Sequence, residues 1–261
     1  SWTLVGFPGA QVCGVAFDPS NPDRAWAGTA AAGVYYTTDG GVTWDFGTGS
    51  SAGFYPEIEL IELASGELRV LVSFQQSGEG VYYSDNGGVS YTMTPVPCTY
   101  HPDLGLSPHD GGSGPTAFLA TNTGIYRSYD RGENWEACPG SYDFFWSVQG
   151  SLCNNVFGGT SGTGLRWSPD DGDSWQLLNT GIANRVVWDI VQGQDQRQLF
   201  ASIRGFGVVE LTDDQLGIEN GDNTESSMTL SVSPNPAGSS VSFAVTGLSE
   251  GTAQVLSLIH I

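Results

Sequence analysis

Lysine is absent from this sequence. All eight basic residues are arginine, against 28 acidic ones, so the 261-residue chain carries a formal net charge of −20. A surface of that sign repels phosphate backbones and anionic lipid, which counts against nucleic acid or a charged membrane surface as partner. No apolar run reaches the roughly 20 residues that a membrane-spanning helix needs. No stretch keeps the 3.6-residue apolar period of an amphipathic helix either. Histidine occurs only three times and cysteine four. What is abundant is glycine, at 37 residues, together with short apolar and aromatic runs bounded by Gly, Asn, Asp and Pro. Such runs read as strands.

One phrase recurs four times. It reads Thr37-Thr38-Asp39-Gly40-Gly41-Val42-Thr43-Trp44, then Ser84 to Tyr91, Ser128 to Trp135 and Ser168 to Trp175. The shared pattern is [ST]-x-[DN]-x-G-x-x-[WY]. Its spacing from Asp39 to Asn86, Asp130 and Asp170 is 86−39 = 47, 130−86 = 44 and 170−130 = 40 residues. A period of that size means one supersecondary unit repeated, as in a propeller or solenoid. Before each phrase stand an apolar run, a small-residue gap, and a Gly followed by an apolar strand: Ala25 to Thr29 then Gly33 to Tyr36, for example. Each unit therefore gives four strands, an inner one (Val12 to Phe17, or Val186 to Val191), two central ones, and an outer one starting at the aromatic residue. In the phrase, Gly supplies positive φ, the Asp or Asn side chain accepts turn N–H groups, and the aromatic ring packs between sheets.

The phrase closely resembles the Asp box, or BNR repeat, of sialidase-like and sortilin-like β-propellers, over about residues 1–212. The resemblance implies an all-β propeller of four-stranded blades. It also implies that Asp39, Asn86, Asp130 and Asp170, with Trp44, Tyr91, Trp135 and Trp175, are structural, on the face opposite the ligand. A fifth unit is degenerate: Leu199 to Ser202 and Gly207 to Glu210 match two strands, and no Gly-x-x-Trp follows Asp213. Ser1-Trp2-Thr3-Leu4 copies Ser174-Trp175-Gln176-Leu177. Five blades closed by this N-terminal strand is the simplest reading, since closure removes exposed edges; a larger propeller lacking upstream blades is the competing one.

Residues 213–227 form an acidic linker without base or aromatic, the composition of a solvated segment. Residues 228–255 follow, with Ser233-Pro234-Asn235-Pro236-Ala237 and the alternating strand Val241 to Val245. This segment resembles the start of the C-terminal sorting domain of type IX secretion substrates. The resemblance implies a small β-sandwich-like module, recognition by that machinery, and a secreted or outer-membrane-surface protein of a Gram-negative, Bacteroidota-like bacterium. Residues 256–261 resemble a translated sequencing adapter and are set aside; the resemblance implies that the chain is a metagenomic fragment.

The loops entering the inner strands and those joining strands two and three share the face opposite the Asp boxes. They carry Tyr55, Tyr100, Phe144, Phe145, Trp146, Arg185, Trp188, Arg204 and Phe206. Converging aromatics with a few charges suit a glycan or protein ligand, although strand-entry aromatics also fill blade interfaces. Sialidases hold a carboxylate with an arginine triad; only Arg185 and Arg204 reach this face, so that chemistry is not expected. Xyloglucanase-type propellers use paired carboxylates, for which Asp189, Glu57 and Asp103 are the candidates. The expected function is thus a non-catalytic glycan- or protein-binding propeller, with a glycoside hydrolase as the alternative. No cofactor is expected. His101, Asp103, His109 and Asp110 cluster in sequence, but His109 falls in the turn after an inner strand, away from His101; calcium in an acidic loop stays open. Of the cysteines, Cys98 and Cys138 fall in loops of adjacent blades and are expected to pair, leaving Cys13 and Cys153 as core thiols.

Overall fold

The computed structural model describes residues 6, 10–30, 32–50, 54–75, 80–96, 100, 103–110, 114–151, 154–179, 181–182, 185–193 and 198–211. They form 19 strands and no helix. Blade one is β1 (Val12–Phe17), β2 (Ala25–Thr29), β3 (Gly33–Thr37) and β4 (Asp45–Phe46). Blade two is β5 (Glu57–Glu62), β6 (Leu68–Ser73), β7 (Val81–Ser84) and β8 (Thr92–Thr94). Blade three is β9 (Asp103–Asp110), β10 (Pro115–Thr121), β11 (Gly124–Ser128) and β12 (Glu136–Ala137). Blade four is β13 (Phe145–Gly150), β14 (Val156–Thr160), β15 (Leu165–Ser168) and β16 (Gln176–Leu177). Blade five has three strands, β17 (Val187–Gln192), β18 (Leu199–Ile203) and β19 (Gly207–Leu211). Every sheet is an antiparallel meander in chain order, and the inner strands β1, β5, β9, β13 and β17 neighbour one another in series. This is the expected propeller. The central strands β2, β6, β10 and β14 are buried on both faces.

The Asp-box turns repeat atom for atom. Thr37, Ser84, Ser128 and Ser168 each donate a hydroxyl to the Asp39, Asn86, Asp130 or Asp170 side chain at 2.8 Å. The same oxygens accept from the amides of Gly41, Gly88, Gly132 and Gly172 at 2.7–3.0 Å. The Asp or Asn oxygen then accepts the amide four residues on, from Thr43, Ser90, Asn134 or Ser174. Glycine is required at the second turn position for two reasons. Its φ is 88–94° in all four turns, and a Cβ on Gly132 or Gly172 would lie 2.6–2.7 Å from Leu71 or Cys138 of the preceding blade.

The blades pack through four apolar cores. Trp26, Val70, Phe74 and Tyr91 lie between blades one and two; Ile61, Leu71 and Leu104 between two and three; Phe118, Ile125, Phe145 and Val148 between three and four; Phe157, Val187 and Ile190 between four and five. Trp135 and Trp175 each close the core against the blade before. Two guanidiniums cross the same interfaces. Arg69 meets Asp85 of its own blade and Glu133 of the next at 2.6 and 2.9 Å. Arg127 meets Glu136 and, in the next blade, Asp173 at 2.8 and 2.7 Å. Among the described residues no fifth core joins blade five to blade one, and Val15, Phe17, Val191 and Val208 remain exposed. The closing strand at Trp2, the linker, the sorting segment and the adapter-like end lie outside the described residues, as do Cys98, Cys153 and His101.

Two expectations need correction. Cys138 is a free, buried thiol rather than half of a bridge. It directly follows β12 and opens the turn to Ser141, with its sulfur turned inward under Gly172, so burial raises its pKa to about 12. His109 is not in a turn: the inner strand β9 runs on through it to Asp110.

Candidate functional site

Each inner strand begins on the face away from the Asp boxes, because three antiparallel passes separate its start from the hairpin after the third strand. The strand starts therefore gather residues far apart in sequence. Tyr100 precedes β9, Phe144 and Trp146 flank the first residue of β13, and Trp188 is the second residue of β17. Their rings form one run across three blades. Tyr100 to Phe144 is 5.7 Å between centroids, Phe144 to Trp146 is 4.8 Å, and Trp146 to Trp188 is 4.7 Å with planes inclined at 51°. Tyr100 donates its hydroxyl to Gln75 of blade two at 2.9 Å. Trp188 is 43% exposed, and Tyr55, at the start of blade two, is 55% exposed with φ of 46°. A non-glycine residue held at positive φ is a local strain of the kind that marks functional loops.

Phe145 departs from the expected face. It is wholly buried between blades three and four, 5.9 Å from Trp175. Successive side chains of a strand point to opposite sides, so placing Phe144 and Trp146 in the aromatic run sends Phe145 inward. Arg185 lies over the Phe206 ring at 4.7 Å, and Arg204 is exposed in the β18–β19 turn. Asp143 on this face serves structure: it accepts from Arg166 at 2.9 Å and from Thr163 at 2.7 Å.

The three candidate carboxylates are brought within electrostatic reach of one another. Burial pushes Glu57 up to about 7, and the charges of Glu59 and Asp189 push the same way. Asp103 is raised well above its usual value by burial, then by Glu57 and Asp189, against an opposing hydrogen bond that the Val148 amide donates at 2.7 Å. Sequence reasoning missed Glu59, which burial and Asp103 raise to about 7. Its signal was present: Glu57, Glu59 and Ile61 alternate on one side of β5, and Ile61 is core, so the two acids face the same interface. Two cavities of about 300 and 230 Å³ lie instead beside the Asp boxes of blades two and three, lined by Asp85, Asn86 and Tyr83 or by Arg127, Asp130 and Trp135. Those side chains are already engaged in turn and ion-pair contacts. No group of three or more His, Cys, Asp or Glu among the described residues is arranged to hold a metal ion, and no described helix is long and apolar enough to cross a membrane.

The family model for the BNR/Asp-box repeat matches residues 35–46, the first of the four turns. No curated protein matches the chain. Among solved structures, an ancestral GH74 enzyme superposes with a TM-score of 0.62 at 17% identity, over 76% of this chain and 30% of that one. The GH74 xyloglucanase from Xanthomonas campestris gives 0.57 at 18% identity, over 85% of this chain and 40% of that one. YCF48 bound to D1 peptide gives 0.54 at 17% identity, over 78% and 66%. The chain thus spans about a third of the length of the GH74 enzymes it resembles. These likenesses establish the propeller-like fold.

Proposed function

We propose that this chain is a ligand-binding β-propeller of an exported protein, taking a glycan across the face opposite its Asp boxes. The aromatic run from Tyr100 through Phe144 and Trp146 to Trp188 carries the reading. Pyranose rings present apolar C–H faces that stack on indole and phenol, while their hydroxyls take hydrogen bonds from polar groups at the rim. Four rings in series, contributed by three blades, suit a chain of sugars better than a single compact ligand. Export rests on the resemblance of residues 228–255 to a type IX sorting domain, and its test is the fate of the parent protein in a host with that machinery: retention in the cytoplasm would remove it.

A glycoside hydrolase of the same fold is the second reading, favoured by one observation. Glu57 keeps its proton to about pH 7 with Asp189 in electrostatic reach, and a hydrolase needs a protonated acid beside an ionised partner. The fold likeness to GH74 enzymes supports the same direction. A glycan array run beside a reducing-sugar assay on plant and algal polysaccharides separates the two. Binding without release, weakened by Trp146→Ala or Trp188→Ala, is the expected result. Sugar release abolished by Asp189→Asn would replace the binder with the hydrolase.

A further inference from the structure

Several buried and half-buried charges elsewhere among the described residues are held in ion pairs. Asp18 meets Arg24, Arg69 and Arg127 each meet two carboxylates, and Asp143 meets Arg166. Glu57, Glu59, Asp103 and Asp189 have no ion pair among the described residues, and they stand at the strand starts that carry the aromatic run. A hydroxyl beside them is also unused. Ser73 is buried, its Oγ has no hydrogen-bond partner, and it lies directly opposite Glu57 in the β5–β6 pair. Opposed residues of an antiparallel pair project to the same side, so Ser73 Oγ and the Glu57 carboxyl are neighbours. An unpaired half-buried acid and an unsatisfied buried hydroxyl at one place both cost free energy unless a ligand meets them.

The aromatic half of the face has the same preference. The π faces of Trp146 and Trp188, inclined at 51° and 4.7 Å apart, carry negative quadrupole that attracts cations, indole most strongly. The net charge of −20 concentrates cations around the molecule as a whole. Of the face's two arginines, Arg185 is held over Phe206 and Arg204 sits in the exposed β18–β19 turn. We propose that the glycan taken here bears ammonium groups: an oligomer of amino sugars whose charged nitrogens stand among Glu57, Asp103 and Asp189 while the rings stack on Trp146 and Trp188. The inference rests on the glycan-binding reading and narrows its ligand to a cationic sugar.

Calorimetry at pH 7.5 tests it with two trisaccharides of one backbone, N,N,N-trimethylglucosamine, whose charge is fixed, and neutral N-acetylglucosamine. The cationic one is expected to bind at least tenfold tighter. Asp189→Asn and Glu57→Gln should each weaken the cationic ligand at least threefold and leave the neutral one unchanged, whereas Trp188→Ala should weaken both. Equal or tighter binding of the N-acetyl sugar overturns the ammonium inference and leaves glycan binding standing. Cationic binding indifferent to Trp188→Ala is adhesion to an acidic surface and overturns it too. If no neutral or cationic glycan binds in a Trp188-dependent way, the glycan-binding reading itself falls.

Discussion

On the Asp-box face, Asp39 finds its donors in Thr37 and Thr43; on the opposite face, Glu57 meets the charge of Asp189 three blades away. The first arrangement is local, repeated and saturated. Asp39 is held down to about 2, first by the Thr43 hydroxyl and amide, and Asp130 and Asp170 are also lowered, their hydrogen bonds outweighing burial. The second is non-local, different in each blade, and unsaturated, with Glu57 and Glu59 raised to about 7. A carboxylate supplied with donors stays ionised and has nothing left to offer. One denied them keeps its proton and its demand for a partner. On the glycan-binding reading, the repeated face is scaffold and the varied face is where a ligand gains most.

The largest effect expected from breaking this division is on the scaffold side. Arg69→Ala removes a buried guanidinium that bridges blades two and three through Asp85 and Glu133. It should cost about 3 kcal/mol in urea denaturation, because its partners and its stacking over Tyr83 are lost together. Glycan affinity should not change; a loss of binding at constant fold would mean the two faces are coupled. Trp188→Ala reverses the pattern. An exposed aromatic anchor is worth about 2 kcal/mol to binding, while stability should stay within about 0.5 kcal/mol of the parent.

Acidity separates the faces again. Glu57 and Glu59 bind protons more tightly folded than unfolded, from the ordinary 4.5 up to about 7. Between those values the folded state holds the extra protons, so stability falls as pH rises. The Asp-box carboxylates have the opposite sign: their contribution is present above the ordinary 3.8 and is lost as pH falls through the lowered values. Thermal melting should therefore be highest near pH 4.5 and decline toward pH 8. Glu57→Gln or Glu59→Gln should flatten the decline and, at pH 8, stabilise by on the order of 1–2 kcal/mol. A melting temperature that climbs from pH 5 to pH 8 would show that these carboxyls are solvated.

The same division explains what could be read from the chain. The Asp box is legible because its hydrogen bonds span two to four residues, so residue spacing alone encodes them. The two inner strands placed from the sequence were legible to within a residue, β1 beginning at Val12 and β17 at Val187 instead of Val186. The aromatic face was legible as a set of loops and not as a geometry: Phe145 went inward because its neighbours go out, and that choice depends on packing against Trp175. Glu59 was missed because one polar residue in a strand looks solvent-facing until the neighbouring blade is placed against it. The Cys138 thiol was misread because a position after a short outer strand resembles a loop, whereas Gly172 of the next blade covers it.

The smallest effect lies inside the scaffold, where the four turns differ from one another. The residue before the box glycine adopts left-handed geometry throughout: Gly40 at φ 71°, Gly87 at 74°, Arg131 at 62° and Asp171 at 55°. Two blades fill this position with glycine and two strain a larger residue into it, at roughly 1 kcal/mol each. What the position must supply is its carbonyl, since Arg131 O accepts from Arg69 and Asp171 O from Arg127. Glycine keeps that oxygen. Arg131 moreover buries its Nε without a partner. Arg131→Gly should therefore raise stability by about 0.5–1 kcal/mol in urea denaturation, the relief of strain exceeding the extra chain entropy, and leave glycan affinity untouched. A loss of stability would mean that the Arg131 guanidinium, packed against Gly114, contributes more to the join of the blades than its backbone strain costs.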